Sequence, residues 1–384
     1  MARKTDPARD YQAQKAAYLR AQHNLSQEEI GKLLGGITQP HVSRLLARAE
    51  EMGWLVTELH FVERDIPQEV MDEIRHLLEP QPLVQALQEV NEIDNLFIPT
   101  IRVFSSGTES ANDEAMALRR KRFGRMAAGR FEELLRNSEI VGVAWGRTVS
   151  GMIEGFTSMH RRQRQSPVQF VPVCAELTGP ATPEYSSSRL ADRLNEIVNN
   201  DQGERLSLSG VPAYIPRHYS EEKARIIWEY VSDIGSYQKI FRGTSPLLSR
   251  MDTLLTSIGP SEIITGGNIT ELSAAGDIDT DQLQSLVVGD MGGVLIPKPD
   301  LSDEQRWLVN ELNRMWTGIN LEHLEHIAHD ARTSAHKTGN IVVAVGRIRT
   351  TILYEIIRLG LVNELIIDDD LARALQTLIE EKSI

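Results

Sequence analysis

Four short stretches of the 384-residue chain combine glycine, hydroxyl and arginine in a way that suits an anion. They read Ser105-Ser106-Gly107-Thr108, Trp145-Gly146-Arg147-Thr148, Thr265-Gly266-Gly267-Asn268 and Gly346-Arg347-Ile348-Arg349-Thr350. Glycine lets a ligand approach the main chain, hydroxyls and N–H groups bond to its oxygens, and arginine adds a two-pronged charge. Turns of this composition also serve as plain punctuation between strand and helix. The pattern gains force because two of the four pair arginine with threonine. Ser106, Gly107, Gly146, Arg147, Thr148, Gly266, Gly267, Gly346, Arg347 and Arg349 are therefore the candidate anion or sugar ligands.

A second constellation lies near the N-terminus. Ser26-Gln27-Glu28-Glu29 is a capping box, and the helix it opens carries Ile30, Leu33 and Leu34. Gly35-Gly36 ends that helix, because glycine enters the left-handed turn conformation at little cost. Thr38 is placed to cap the next helix, and Pro40 is tolerated in its first turn. Val42, Leu45, Leu46 and Ala49 form the inner face of that helix, leaving Gln39, His41, Ser43 and Arg44 outward. Two helices joined by a glycine turn make a helix-turn-helix, and these outward residue types reach base edges and phosphates. Thr38, Gln39, Pro40, His41, Ser43 and Arg44 are the candidate DNA-contacting residues. Charge agrees. Residues 1–49 hold eight Lys/Arg against four acids, a balance of +4, whereas the whole chain stands at −13 and the remainder therefore at −17. A basic head on an acidic body is the electrostatic footprint of a nucleic-acid-binding module.

Other chemistry-bearing residues point to less. Cys174 stands alone, which excludes an internal disulfide and a cysteine-based zinc site, and its run QFVPVC suits a buried strand. His323, His326 and His329 recur every three residues, whereas helical metal pairs commonly use a four-residue spacing; a solvated helix face is the expectation, with no metal and no cofactor. Arg161-Arg162-Gln163-Arg164 reads as an exposed basic loop. Asp368-Asp369-Asp370 suits a helix start, where the dipole favours negative charge. No nucleophile–base–orienter set is visible.

These residues need a scaffold. The expected fold is an N-terminal all-α helix-turn-helix followed by an α/β body with a mostly parallel, Rossmann-like sheet. The expected boundaries are 1–62 for the head, including a strand over 55–62, then 63–95 for linking or dimerising helices, and 96–384 for the ligand-binding body. Strands are expected at 101–104, 140–144, 168–173, 262–264, 294–296, 341–345 and 364–367. Helices are expected at 8–23, to about 136, from 148, and over 188–199, 220–256, 302–330 and 348–359. With 41% hydrophobic and 25% charged residues the composition supports a sizeable core. No run of 18 apolar residues occurs and MARKTDPARD lacks an apolar segment, so the cytoplasm is the expected compartment.

With these stretches laid out, the chain resembles the SorC family of bacterial transcriptional regulators. ITQPHVSRLLARAEEMGWL at 37–55 is similar to the family's recognition helix, IVGVAWGRTV at 140–149 to its Gly-Val-Ser-Trp-Gly-Arg-Thr segment, and VVAVGRIRTTILYEIIRLGLVNELIIDDDLARAL at 342–375 to its C-terminal pattern; VVGDMGGVLI at 287–296 is a weaker match. The resemblance implies a sugar-phosphate isomerase-like effector domain, a homotetramer, and operator DNA binding controlled by a phosphorylated sugar. It further implies that Gly146, Arg147 and Thr148 line the effector pocket, with Gly289, Asp290 and the Gly346–Thr350 turn across from them. The family's usual Gly-Gly-x-x-Lys turn departs here, with Arg347 at the second glycine and Thr350 at the lysine. The alternative from another class is a sugar-phosphate isomerase-like enzyme, which needs a general base that the sequence does not single out.

Overall fold

The structure, a computed structural model, describes residues 7–23, 25–52, 54–55, 81–94, 97–106, 113–136, 138–157, 167–176, 183–200, 202–261, 267–276, 278–334 and 336–382. The chain divides into two compact units, Met1–Glu73 and Ile74–Ile384. Gly107, Gly266, residues 56–62 of the strand expected over 55–62, the strand expected over 262–264, and the basic loop at 161–164 lie outside the described residues.

The first unit contains α1 (Pro7–His23), α2 (Gln27–Leu33) and α3 (Gln39–Glu51). Ala13, Ala16 and Ala17 of α1 meet Ile30, Val42, Leu45, Leu46 and Ala49 in one small core. The Ser26/Glu29 capping box forms, and Gly35 and Gly36 take φ of +93° and +79°. Leu33, expected on the inner face, is exposed; Leu34 and Ile37 pack partly against the core instead. Thr38 holds the N-cap position of α3 with no side-chain cap bond. Gly31 is fixed by close approach, since a Cβ there would overlap the Ile37 carbonyl oxygen.

In the second unit α4 (Gln81–Asp94), within the stretch expected to link the two domains, buries Leu83, Ala86, Leu87 and Val90 in the main core. The chain continues through β1 (Thr100–Phe104), α5 (Asp113–Leu135), β2 (Ile140–Val143), α6 (Arg147–Thr157), β3 (Gln169–Pro172), α7 (Ser187–Asn199) and α8 (Glu221–Asp233). It ends with β4 (Thr253–Pro260), α9 (Gly267–Gly276), α10 (Thr280–Leu286), β5 (Val287–Met291), β6 (Val294–Pro297), α11 (Asp303–Met315), α12 (Leu321–Thr333), β7 (Gly339–Ala344), α13 (Thr350–Arg358), β8 (Glu364–Asp368) and α14 (Asp369–Lys382). Among the described residues six strands pair in parallel in the order β1-β8-β7-β4-β2-β3. The end of the long β4 adds an antiparallel β5–β6 hairpin, so the sheet is mixed. The central β7 and β8 are buried along their whole length, which is why they read as unbroken apolar runs rather than alternating ones.

Two expectations are corrected here, and one strand is added. The helical segments expected over 220–256 run through α8 and short helical turns as far as Arg250, but Thr253–Pro260 is a central strand whose apolar run is buried on both faces. The single helix expected over 302–330 is two, because Trp316 leaves the helical path and Asn320 starts α12 with a capping box that uses His323. The strand Val287–Met291, unassigned from the sequence, pairs through a two-glycine turn with β6.

Helix α6, which follows β2, is positioned by main-chain contact with α5. A Cβ on Gly155 would overlap the backbone of Gly124 and Arg125, and one on Gly124 would overlap the Gly151 carbonyl. Overpacking against unyielding main chain costs about 1–3 kcal/mol, which outweighs the roughly 1 kcal/mol that alanine gains over glycine in a helix. Gly155→Ala should therefore lower the melting temperature followed by circular dichroism, while Gly129→Ala, on the exposed side of α5, should not.

Candidate functional site

In the first unit Thr38, Gln39, Pro40, His41, Ser43 and Arg44 are all exposed on the side of α3 away from its buried Val42, Leu45, Leu46 and Ala49. Arg44 rests its Nε on the Pro40 carbonyl at 3.2 Å, inside the first turn. Arg48, by contrast, is tied to Asp10 at 3.0 Å and Glu51 at 3.1 Å, so it braces α3 on α1.

In the second unit the chain leaves β2 for the edge strand β3, and β4 lies on the opposite side of β2. A sheet whose strand order reverses in this way opens a crevice at the carboxyl ends of its strands. Gly146 sits there with φ +132° and so close to Ser257 of β4 that a Cβ would crowd the Ser257 hydroxyl. Arg147 begins α6 and is exposed, Thr148 is buried behind it, and the first N–H groups of a helix have no acceptor within the helix.

The turn after β7 is differently disposed. The Gly346 N–H donates to Asp368 at 3.0 Å and the Arg347 N–H to Asp370 at 3.2 Å, so these two groups face the protein's own carboxylates. Ser106 is buried and donates its hydroxyl to Asp368 at 2.7 Å while accepting from Arg119 at 2.7 Å. Arg119 also bonds Asp368 and Asp370. Arg349 is buried, with its guanidinium on the carbonyls of Ile258 and Val345. Burial first, then the positive charges of Arg120 and Arg147, bring it down to about 10, so it keeps its proton at neutral pH. Gly267 opens α9.

Across the crevice stands Asp290 on β5. Burial pushes its carboxyl up to about 6, against the Gly293 N–H that donates to it at 3.0 Å and the nearby Arg349. Cys174 lies beside it and donates to the Gly292 carbonyl at 3.2 Å; burial pushes that thiol up to about 12, which disarms it as a nucleophile. Residues that the sequence did not single out complete the wall. Trp316 packs against Trp145 and Tyr214, with ring centroids 5.4 and 5.1 Å apart. Trp316 escaped notice because it stood inside an apparently continuous helix, and Tyr214 because it lies in irregular chain. Among the described residues no group of three metal-binding side chains converges. Two cavities among the described residues lie elsewhere: one of about 370 Å³ beside Ser261, Ser285 and Lys298, another of about 250 Å³ beside Phe241 and His323. The crevice is the better candidate because its glycines, arginine and carboxylate converge at strand ends, whereas those cavities bring together no comparable set.

Residues 94–377 match the family model Sugar-bind, a sugar-binding domain. The chain belongs to the SorC family of sugar-binding domains. Solved structures with this SorC-family fold include the full-length sorbitol operon regulator SorC from Klebsiella pneumoniae, at 19% identity and TM-score 0.54 over 96% of this chain and 99% of that one. A transcriptional regulator from Streptococcus pneumoniae matches at 16% identity and TM-score 0.55 over 82% and 100% of the two chains. A DeoR family transcriptional regulator from Listeria monocytogenes matches at 15% and 0.50 over 75% and 97%. At such identities the likeness is one of fold. The comparison with curated protein sequences returns no match.

The raised carboxyl of Asp290 makes a pH test of this SorC-family site. Its folded value exceeds the ordinary 3.8, so the fold holds a proton that the unfolded chain has lost between about pH 4 and 6. Stability from this group is therefore greatest at low pH and falls as pH rises through that window. Asp290→Asn should gain roughly 1–3 kcal/mol relative to wild type above pH 6, and nothing below about pH 4, when thermal melts are compared across pH.

Proposed function

We propose that the protein is a transcriptional regulator whose binding to operator DNA is controlled by a small carbohydrate, a phosphorylated sugar. The observation that carries this reading is the presence, in one chain, of an exposed Gln39–Arg44 face on a capped three-helix head and a sugar-binding-family body whose crevice presents Arg147 at a helix start. Arg147, with the free N–H groups of α6 and the hydroxyls of Thr148 and Ser257, takes the phosphate. Arg349 adds positive potential from beneath, and Asp290 accepts from sugar hydroxyls. On the DNA side Gln39, His41, Ser43 and Arg44 read bases and phosphates, and Thr38 and Pro40 set how the helix enters the groove. The effector acts by favouring one arrangement of a homotetramer over another, which changes the spacing of the DNA-reading helices. The cytoplasm is its place of action.

One observation favours a second reading. Asp290, held near pH 6 beside the crevice, has the ionisation expected of a general base, as a sugar-phosphate isomerase would need. Turnover of any sugar phosphate, abolished in Asp290→Asn, would establish that reading instead.

Two measurements test the proposal. In electrophoretic mobility shifts with DNA from upstream of the chain's own coding region, Arg44→Ala should weaken binding roughly tenfold or more; binding equal to wild type would remove α3 as the reader. In thermal shift against phosphorylated sugars, at least one compound should stabilise wild type, and Arg147→Ala should weaken that ligand by roughly tenfold or more. Stabilisation by none would leave the body as an oligomerisation scaffold.

A further inference from the structure

The phosphate end of the crevice does not explain its aromatic wall. Trp145 is half-buried, one residue before Gly146, and its ring packs at 5.4 Å on Trp316, which packs in turn on Tyr214. Trp316 and Tyr214 are buried, so Trp145 is the member of the stack that retains an open surface. Space for the stack is kept by glycine: a Cβ on Gly293 or Gly318 would overlap the Trp316 indole. The wall also carries unmet hydrogen-bonding capacity. The buried Trp316 Nε1 has no partner among the described residues. Asp290 gives one oxygen to the Gly293 N–H, while the other, packed against Gly259, takes no hydrogen bond among the described residues. A buried donor left open beside an aromatic surface is costly unless something polar meets it, and the open Asp290 oxygen lies on the same wall.

Resting on the phosphate reading above, we propose that Trp145, braced by Trp316 and Tyr214, is the platform for the carbon skeleton of the ligand, with Trp316 Nε1 donating to one hydroxyl and Asp290 accepting from another. An indole face suits the C–H side of a polyhydroxylated chain or ring, and few, placed polar groups then fix its orientation. The carboxylate at the far end also sets the ligand's charge. A neutral body, a sugar or sugar alcohol, fits, whereas a sugar acid brings a second carboxylate against Asp290. The site is thus selective for neutral-bodied sugar or polyol phosphates over aldonic acid phosphates.

Titration calorimetry on the full chain with inorganic phosphate, glucose 6-phosphate, glucitol 6-phosphate and 6-phosphogluconate tests this. Trp145→Leu should weaken the better neutral compound roughly tenfold and leave inorganic phosphate within about twofold, and Trp145→Tyr should restore most of the loss. Trp316→Phe, which keeps a ring and deletes the N–H, should weaken the neutral compound roughly tenfold without affecting inorganic phosphate. Wild type should hold 6-phosphogluconate at least roughly tenfold more weakly than the neutral compound. Unchanged binding in Trp145→Leu, equal losses for phosphate and sugar phosphate, or equal affinity for acid and neutral ligands overturns the platform while leaving the phosphate site standing. Should Trp145→Leu not fold, Trp145→Tyr and Trp316→Phe decide the matter by the same comparison. Binding of none of the four compounds by wild type overturns both this inference and the reading beneath it.

Discussion

Asp368, fully buried at the carboxyl end of β8, accepts from the Ser106 hydroxyl, the Arg119 guanidinium and the N–H groups of Gly346 and Leu371. Those partners come from the loop after β1, from α5, from the turn after β7 and from the start of α14. One carboxylate therefore fixes the ends of three neighbouring strands. Burying a charge is tolerable only when every lone pair finds a donor, and loss of one partner from such a pair costs about 3–5 kcal/mol. Asp370 extends the knot by taking the Arg347 N–H and sharing Arg119. Order at this end of the sheet is thus electrostatic, while the apolar runs of β7 and β8 hold its middle.

That knot divides the polar groups at the strand ends into two sets. Ser106, Arg119 and the N–H groups of Gly346 and Arg347 are spent on holding the scaffold. Among the described residues, Arg147, the first N–H groups of α6, the second oxygen of Asp290 and the open face of Trp145 are not. The boundary between the sets runs close to the β2/β4 reversal, where Gly146 allows the close approach to Ser257. Arg349 sits between them: its own hydrogen bonds go to main-chain carbonyls, yet its charge is felt by Asp290 and by Arg147.

Much of this was legible in the sequence, because its signals are local. The capping box at Ser26, the Gly35-Gly36 turn and the 3.6-residue spacing of Val42, Leu45, Leu46 and Ala49 depend only on near neighbours, and the head formed as they indicate. Arg147 and Gly146 followed from a strand–glycine–helix pattern of the same kind. What escaped depends on distant partners. Nothing near Gly346 announces that its N–H meets a carboxylate 22 residues away. Leu33 satisfies the helical period yet faces solvent, because the helix turns before its side chain can reach the core. Thr253–Pro260 was masked by a preceding helical pattern that did not mark its own end, and Trp316 by the apparent continuity of two capped helices.

The central claim is that ligand at the strand ends and DNA at the head are linked through one protein. Thermodynamic linkage makes that claim quantitative, since each ligand must alter the other's affinity by the same factor. The direct measurement pairs two titrations on wild type with the sugar phosphate giving the largest thermal shift: anisotropy of labelled upstream DNA with and without the sugar, and sugar binding followed by indole fluorescence with and without the DNA. The account predicts equal factors in both directions, well removed from one. A factor of one, with both ligands bound, would contradict it.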